Sequence, residues 1–262
     1  MSVSIQDVTK HYAKGGRTVV ALDRTSLFIE DGEFVSIVGP SGCGKSTLLM
    51  IMAGLVQPTE GIVTVNGRKV NGPFPELGIV FQQDALLPWR SVLANVLLQA
   101  KVRKLGERQL EGRARELLAM VGLDGFEHMY PHELSGGMRQ RVSICRALLH
   151  KPTLLLMDEP FGALDALTRD QLNVDLQRIC LELGVTTVFV THSIEEAVFL
   201  SDRMVIMSPR PSTVKEILSI NLPRARKLTV RATPEFNAYS REAILVFERV
   251  GVLHDAEATT AA

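Results

Sequence analysis

The residues best able to do chemistry lie in a few short stretches. "GPSGCGKST" puts Gly39, Gly44, Lys45 and Ser46 at the spacing G-x-x-x-x-G-K-[ST], with Pro40, Ser41, Gly42, Cys43 and Thr47 completing the loop. Glycines at that spacing let successive backbone N–H groups face a polyphosphate, and the following helix adds its positive end. The lysine can reach the outer phosphates and the hydroxyl can ligate magnesium. "LLLMDE" ends in two acids, Asp158 and Glu159. Successive strand residues point to opposite sides, so the two divide the work. Asp158 is expected to help hold magnesium, and Glu159 to face a γ-phosphate and polarise the attacking water as general base. "LSGGMRQR" is a further helix start, with Ser135 as N-cap and Gly136 and Gly137 behind it. On form alone it fits an ordinary helix start as well as a second anion site.

These stretches need elements to hold them. "SVSIQDV" alternates like a half-buried strand, and "TSLFIEDGEFVSIVG" reads as two strand-like runs joined at Asp31-Gly32, a hairpin dipeptide. The second run feeds the phosphate loop, and "TLLMIMAGL" behind the loop reads as a helix. "GIVTVNGRKV" gives a second hairpin through Asn66-Gly67. From about Leu86 to Leu149 the period becomes helical: Leu110, Ala114, Leu117, Leu118 and Val121 share a face, with Gly122 as a stop. The LSGGMRQR stretch opens a helix whose Val142, Cys145, Leu148 and Leu149 face the core. "TLLLMDEP", "VTTVFVTHS" and "RMVIMS" then alternate with helices, the pattern of a parallel sheet covered on both faces. Ser193, with Glu196 three residues on, predicts a capping box. A strand-like "TVKEILSINLP", a basic connector, a helix from Pro234 and a small-residue tail expected to fray close the chain.

At 262 residues the chain can bury a large core. Lys and Arg balance Asp and Glu at 29 each, so no overall field draws it to nucleic acid, and no nucleic-acid partner is expected. The three cysteines lack metal-like spacing and suit free thiols in a reducing compartment. The N-terminus has no export signal, and the longest apolar run, "LLMIMAGLV", falls well short of the ~20 residues of a membrane-spanning helix.

The order and spacing of GPSGCGKST, LSGGMRQR, LLLMDEP, GALD and VTHS resemble the nucleotide-binding subunit of an ATP-binding-cassette (ABC) transporter over nearly the whole chain. The fold class this implies is α/β: a P-loop NTPase, ABC ATPase core with a mixed sheet, an antiparallel β subdomain and a helical subdomain insertion. A single ABC ATPase domain would fill 1–262, with a nucleotide-binding core from 1–85 and 150–208, a helical subdomain from 86–149, and a C-terminal extension from 209–262. The resemblance implies ATP and Mg2+ as cofactors and a head-to-tail dimer, homomeric or with a second ABC subunit. In that dimer Ser135, Gly136 and Gly137 of one chain cap the γ-phosphate held by Gly39–Thr47 of the other. It also implies that Gln82 touches magnesium, that His192 contacts the γ-phosphate, and that Asp165 links the two sites. Tyr12 matches the aromatic that stacks on adenine, although it could instead cover the hairpin.

"QQDALLPWRSVLANV" and "MSPRPSTVKEILSINLPRAR" resemble the branch of the family that imports nitrate, sulfonates or taurine. That branch implies transmembrane permease subunits docked through the Gln82–Trp89 region and a periplasmic or extracellular solute-binding protein. It implies a peripheral location on the cytoplasmic face of the bacterial inner membrane. Trp89, the only tryptophan, fits a docking hot spot or the core of the helical subdomain. Ser212-Thr213 departs from the Gly-Arg that relatives often carry after "SPRP", so solute preference does not transfer. No additional regulatory β-domain is expected. A soluble ABC ATPase working on a macromolecular complex is the alternative; a small-molecule kinase would lack LSGGMRQR.

Overall fold

The computed structural model describes residues 1–15 and 17–253; the small-residue tail lies outside them. β1 (Val3–Lys14) pairs antiparallel with β2 (Arg17–Ile29). β3 (Phe34–Val38) leads through the phosphate loop to α1 (Lys45–Met52). β4 (Glu60–Val65) and β5 (Arg68–Lys69) complete a four-stranded sheet of order β2-β1-β4-β5. Asn66 (φ 47°) and Gly67 (φ 74°) make the β4–β5 turn, the double left-handed conformation that Asn-Gly favours.

A six-stranded sheet contains β3, β6 (Leu77–Val80), β7 (Leu154–Asp158), β8 (Thr186–Thr191), β9 (Arg203–Met207) and β10 (Val214–Ser219), in the order β10-β9-β3-β8-β7-β6. It is parallel except for β10, which runs antiparallel to β9. Alternate residues of its strands feed two cores. Val35, Ile37, Leu156, Val188 and Val190 pack with α1 and the antiparallel sheet, while Phe34, Leu155, Met157, Phe189 and Ile206 face the remaining helices. Burial on both faces explains why these strands read as continuous apolar runs.

The expected hairpin at Asp31-Gly32 does not form. Gly32 does turn the chain (φ 73°), but β2 stays in the antiparallel sheet while β3 pairs with β8 and β9. A turn dipeptide marks a change of direction and says nothing about which sheet the next strand joins. α2 (Val92–Val96), α3 (Leu98–Arg103), α4 (Glu107–Met120) and α5 (Gly136–Leu148) occupy the helical stretch. Val142, Cys145, Leu148 and Leu149 of α5 and its end are buried, and Gly122 (φ 70°) follows α4 as a stop. α6 (Ala166–Leu183), α7 (Ile194–Leu200) and α8 (Pro234–Arg249) cover the sheet.

The capping box at α7 is half made. Ser193 Oγ accepts from the Glu196 N–H (3.3 Å), but the Glu196 carboxylate accepts from Thr191 Oγ1, and the Ser193 N–H donates to that same hydroxyl (3.0 Å). Thr191, at the end of β8, outcompetes the reciprocal bond. In the connector before α8, the buried Arg226 donates to the carbonyls of Val198, Phe199 and Ser201. These are the carbonyls that the end of α7 leaves without partners.

Candidate nucleotide site

The phosphate loop joins the buried β3 to α1. Gly44 opens α1 at φ 123°, where an added Cβ would stand 2.9 Å from the Ala21 carbonyl, so only glycine fits. No side chain caps this helix start, which leaves its N–H groups facing the loop. Lys45 is buried and donates through Nζ to the carbonyls of Gly39 (2.9 Å) and Pro40 (3.1 Å). Cys43 is buried, so it can offer the loop only its backbone. Beside the loop lies a cleft of about 190 Å³ bounded by Gly42, Lys45, Thr47, Glu159 and Tyr12. Tyr12 is 40% exposed and carries Lys10 Nζ 5.1 Å above its ring. It forms part of the cleft wall rather than merely covering the hairpin.

The two acids of LLLMDE diverge as expected. Ser46 Oγ donates to Asp158 Oδ1 (2.9 Å), and burial holds the Asp158 carboxyl above the usual carboxylate range. Glu159 turns the other way, with its carboxylate 3.8 Å from Lys45 Nζ and 3.5 Å from His192 Nδ1. Its backbone is left-handed (φ 44°), an unfavourable conformation for a non-glycine residue and one the sequence did not signal. Gln82 Nε2 and His192 Cε1 each stand 3.8 Å from the point a Cβ on Gly162 would occupy, so both reach the same spot beside Glu159. Lys45, Ser46, Gln82, Asp158, Glu159 and His192 thus meet at the C-terminal ends of β3, β6, β7 and β8, where open α/β sheets bind ligands.

Ser135, Gly136 and Gly137 do not join them. Ser135 caps α5 by accepting from the Met138 N–H (3.3 Å), and Ser135 and Gly136 are exposed. Gly137 is buried against α6: a Cβ there would meet Thr168 Cγ2 at 2.5 Å. Asp165, exposed, caps α6 through the Thr168 N–H (3.0 Å), and those backbone bonds hold its carboxyl below the usual range. The start of α5 is tied to the Gln82 segment. Arg139 pairs with Asp84 (2.9 Å), Arg146 donates to the Asp84 and Ala85 carbonyls (2.7 Å each), and Gln140 donates to the Phe81 carbonyl (3.5 Å). Further along that segment Trp89 is 71% exposed, which excludes a core role.

Sequence reasoning overlooked Arg210 and read Glu196 only as a helix cap. Arg210, on the loop after β9, lies against Gly42 and borders the cleft. The buried Glu196 joins Thr191, next to His192, to Arg169 of α6 (3.8 Å). No motif signals Arg210 or the contacts Glu196 makes to Thr191 and Arg169, because each depends on a distant loop or strand end.

A phosphate loop on a mostly parallel sheet, with a paired hydroxyl and acid and a second acid beside it, defines a P-loop ATP hydrolase. Residues 22–162 match the family model described as "ABC transporter". The chain is 42% identical to the aliphatic sulfonates import ATP-binding protein SsuB of Bacillus cereus, over 97% of this chain and 98% of that one. It is 47% identical to the taurine import ATP-binding protein TauB of Rhizobium johnstonii, over 94% and 93%. Identity is also 47% to the nitrate import ATP-binding protein NrtC of Synechococcus elongatus, over 88% of this chain and 36% of that protein. Among solved structures, a dimeric ATP-binding cassette in a post-hydrolysis state with ADP and Pi matches with TM-score 0.73 at 35% identity, covering 84% of this chain and all of the other. The chain belongs to the ABC transporter family, as an ATP-binding ATPase cassette.

Proposed function

We propose that this chain powers a membrane permease that imports a small solute of the sulfonate, taurine or nitrate kind. The observation that carries the catalytic half is the meeting of Lys45, Ser46, Asp158, Glu159, His192 and Gln82, drawn from distant parts of the chain to one edge of the sheet. In this reading Gly39–Thr47 wrap the polyphosphate and Lys45 leaves the loop carbonyls for the outer phosphates. Tyr12 stacks on the base. Glu159 takes the proton of the attacking water, and His192, within reach of that carboxylate, holds it and the γ-phosphate in place. The adjacent oxygens of Ser46 and Asp158, with the Gln82 amide oxygen, suit a hard cation; Mg2+ held there would neutralise phosphate charge. Among the described residues no cluster of three His, Cys, Asp or Glu competes as a metal site.

The exposed start of α5 is read as half of a second site. Ser135, Gly136 and Gly137 would cap the γ-phosphate on the loop of a partner subunit, with Asp165 beside them at the junction. The relevant divisions are a nucleotide-binding core (1–85, 150–208), a helical subdomain (86–149) and an extension (209–262). No helix among the described residues is long and apolar enough to cross a membrane, which suits a peripheral subunit on the cytoplasmic face. A periplasmic or extracellular solute-binding protein would deliver the solute.

Docking is assigned to the Gln82–Trp89 segment. Its bonds to Arg139, Gln140 and Arg146 would carry movement at the permease to the start of α5. Trp89→Ala should leave the isolated subunit folded with basal ATPase intact, yet release it from permease-containing membranes and abolish uptake. Truncating a central Trp of this kind costs about 2 kcal/mol or more. Unchanged co-purification with the permease would refute the docking role. Basal ATPase in the wild type, measured alongside, tests the catalytic half separately.

A further inference from the structure

The loop between β9 and β10 is stapled into the nucleotide site. Ser212 is fully buried: its carbonyl accepts from the Asp23 N–H (2.9 Å) and Thr25 Oγ1 (3.4 Å), its N–H donates to the Ala21 carbonyl (3.3 Å), and its hydroxyl donates to the Ser208 carbonyl (2.9 Å). Thr213 closes the loop through its N–H on Ser208 Oγ (3.1 Å). The Ser212 backbone is therefore a clasp that locks the six-stranded sheet to β2, while the side chain that departs from glycine adds a bond within the loop itself. Ala21, which receives the Ser212 N–H, is the residue whose carbonyl restricts Gly44.

This clasp fixes the backbone beneath Arg210. The Arg210 Nε donates to the Gly42 carbonyl, and one terminal nitrogen stands 3.0 Å from the point a Cβ on Gly42 would occupy. A guanidinium has five N–H donors. Only Nε is hydrogen-bonded among the described residues, and none of their carboxylates lies within ion-pair distance of Arg210. The cleft thus carries a second, exposed cation besides Lys45; Glu159 shares the cleft but is paired with Lys45 and His192, and the terminal donors of Arg210 have no partner among the described residues. A guanidinium with free terminal N–H donors matches the geometry and charge of a phosphate.

We infer that Arg210 is a nucleotide-contacting residue: pivoting on the Gly42 carbonyl, its terminal nitrogens donate to the polyphosphate of bound ATP or ADP. The inference rests on the reading of Gly39–Thr47 as the ATP loop. It makes the β9–β10 loop part of the wall of the site.

The test is calorimetric titration of the wild type, Arg210→Ala and Arg210→Lys with ADP and with a non-hydrolysable ATP analogue, at salt from about 50 mM to about 0.5 M, where screening becomes strong. Arg210→Ala should weaken both ligands roughly tenfold at low salt, the lower end of the range for a hydrogen bond to a charged group. That gap should narrow as salt rises. Arg210→Lys should recover part of the loss at low salt, because the charge remains while the fork is gone. Dissociation constants within twofold of wild type for Arg210→Ala at low salt would overturn the inference. So would a loss of equal size at every salt concentration, which would make Arg210 only a prop for Gly42. Thermal unfolding checks each variant, and Arg210→Lys carries the salt comparison should the alanine variant not fold. A wild type that binds neither ligand would instead defeat the ATP-loop reading itself, which separates the two failures.

Discussion

Helices α1 and α5 both begin at glycine-rich turns, yet α1 starts inside a walled cleft and α5 starts on open surface. At α1 the first turn lacks a side-chain cap and looks onto Lys45, Glu159 and Tyr12 of its own chain. At α5 the cap is satisfied by Ser135, and Gly137 is pinned to Thr168. One helix start keeps its donors free for a ligand that the same chain encloses. The other is capped and packed in place, with Ser135 and Gly136 exposed. That difference is what a site divided between two subunits requires, and it gives ways to break the assignment.

The largest effect belongs to the walled side. Glu159→Gln should lower ATP turnover by about 10²–10⁴-fold while ATP binding survives and an ATP-dependent dimer accumulates. Near-normal steady-state hydrolysis would remove Glu159 from its role. Next, Lys45→Ala and Ser135→Arg chains should each be almost inactive alone. Mixing them should restore hydrolysis to at most one composite site per mixed dimer, measured as phosphate release against mixing ratio. An unaffected Ser135→Arg protein would reduce the start of α5 to a plain helix start.

A finer cut separates Gly136 from its neighbour. Gly137→Ala drives a methyl into Thr168 and should destabilise the monomer by about 1–3 kcal/mol in denaturant unfolding. Gly136→Ala meets nothing closer than Leu164 Cδ2 at 3.5 Å. It should stay within about 0.5 kcal/mol of wild type, yet weaken ATP-driven dimerisation in sedimentation. The smallest change in stability is that of Asp158→Asn. Burial raises that carboxyl, so ionising it costs the folded state above the usual carboxylate range and costs nothing in acid. The variant should therefore melt about 1–2 °C higher at pH 7 without nucleotide, show no gain near pH 3, and lose hydrolysis.

What could be read in the sequence was whatever is local. The phosphate loop, the Asp158–Glu159 pair and the caps at Ser135 and Ser193 are set by residues within a turn of each other, and the structure has them. The Asp31-Gly32 hairpin failed because strand partnership is non-local: β3 is claimed by β8 and β9 from far along the chain. The reciprocal half of the Ser193 cap failed because Thr191 offered Glu196 a nearer donor. Arg210 escaped notice for a related reason. Its position depends on the buried Ser212 gripping β2, a contact that joins opposite ends of the chain. Trp89 was balanced between surface and core until its exposure decided the matter.

The strand order also sets a schedule for biosynthesis. β3, which carries the phosphate loop, emerges early from the ribosome, but its sheet neighbours β8 and β9 are both translated late. At about 5–20 residues per second the loop waits many seconds with neither flank in place. A stalled nascent chain ending before Thr186 holds every residue of the Gly39–Thr47 motif and lacks the strands that bracket it. Nucleotide can therefore help close the fold only near the end of translation, and until then β3 has neither of its sheet neighbours.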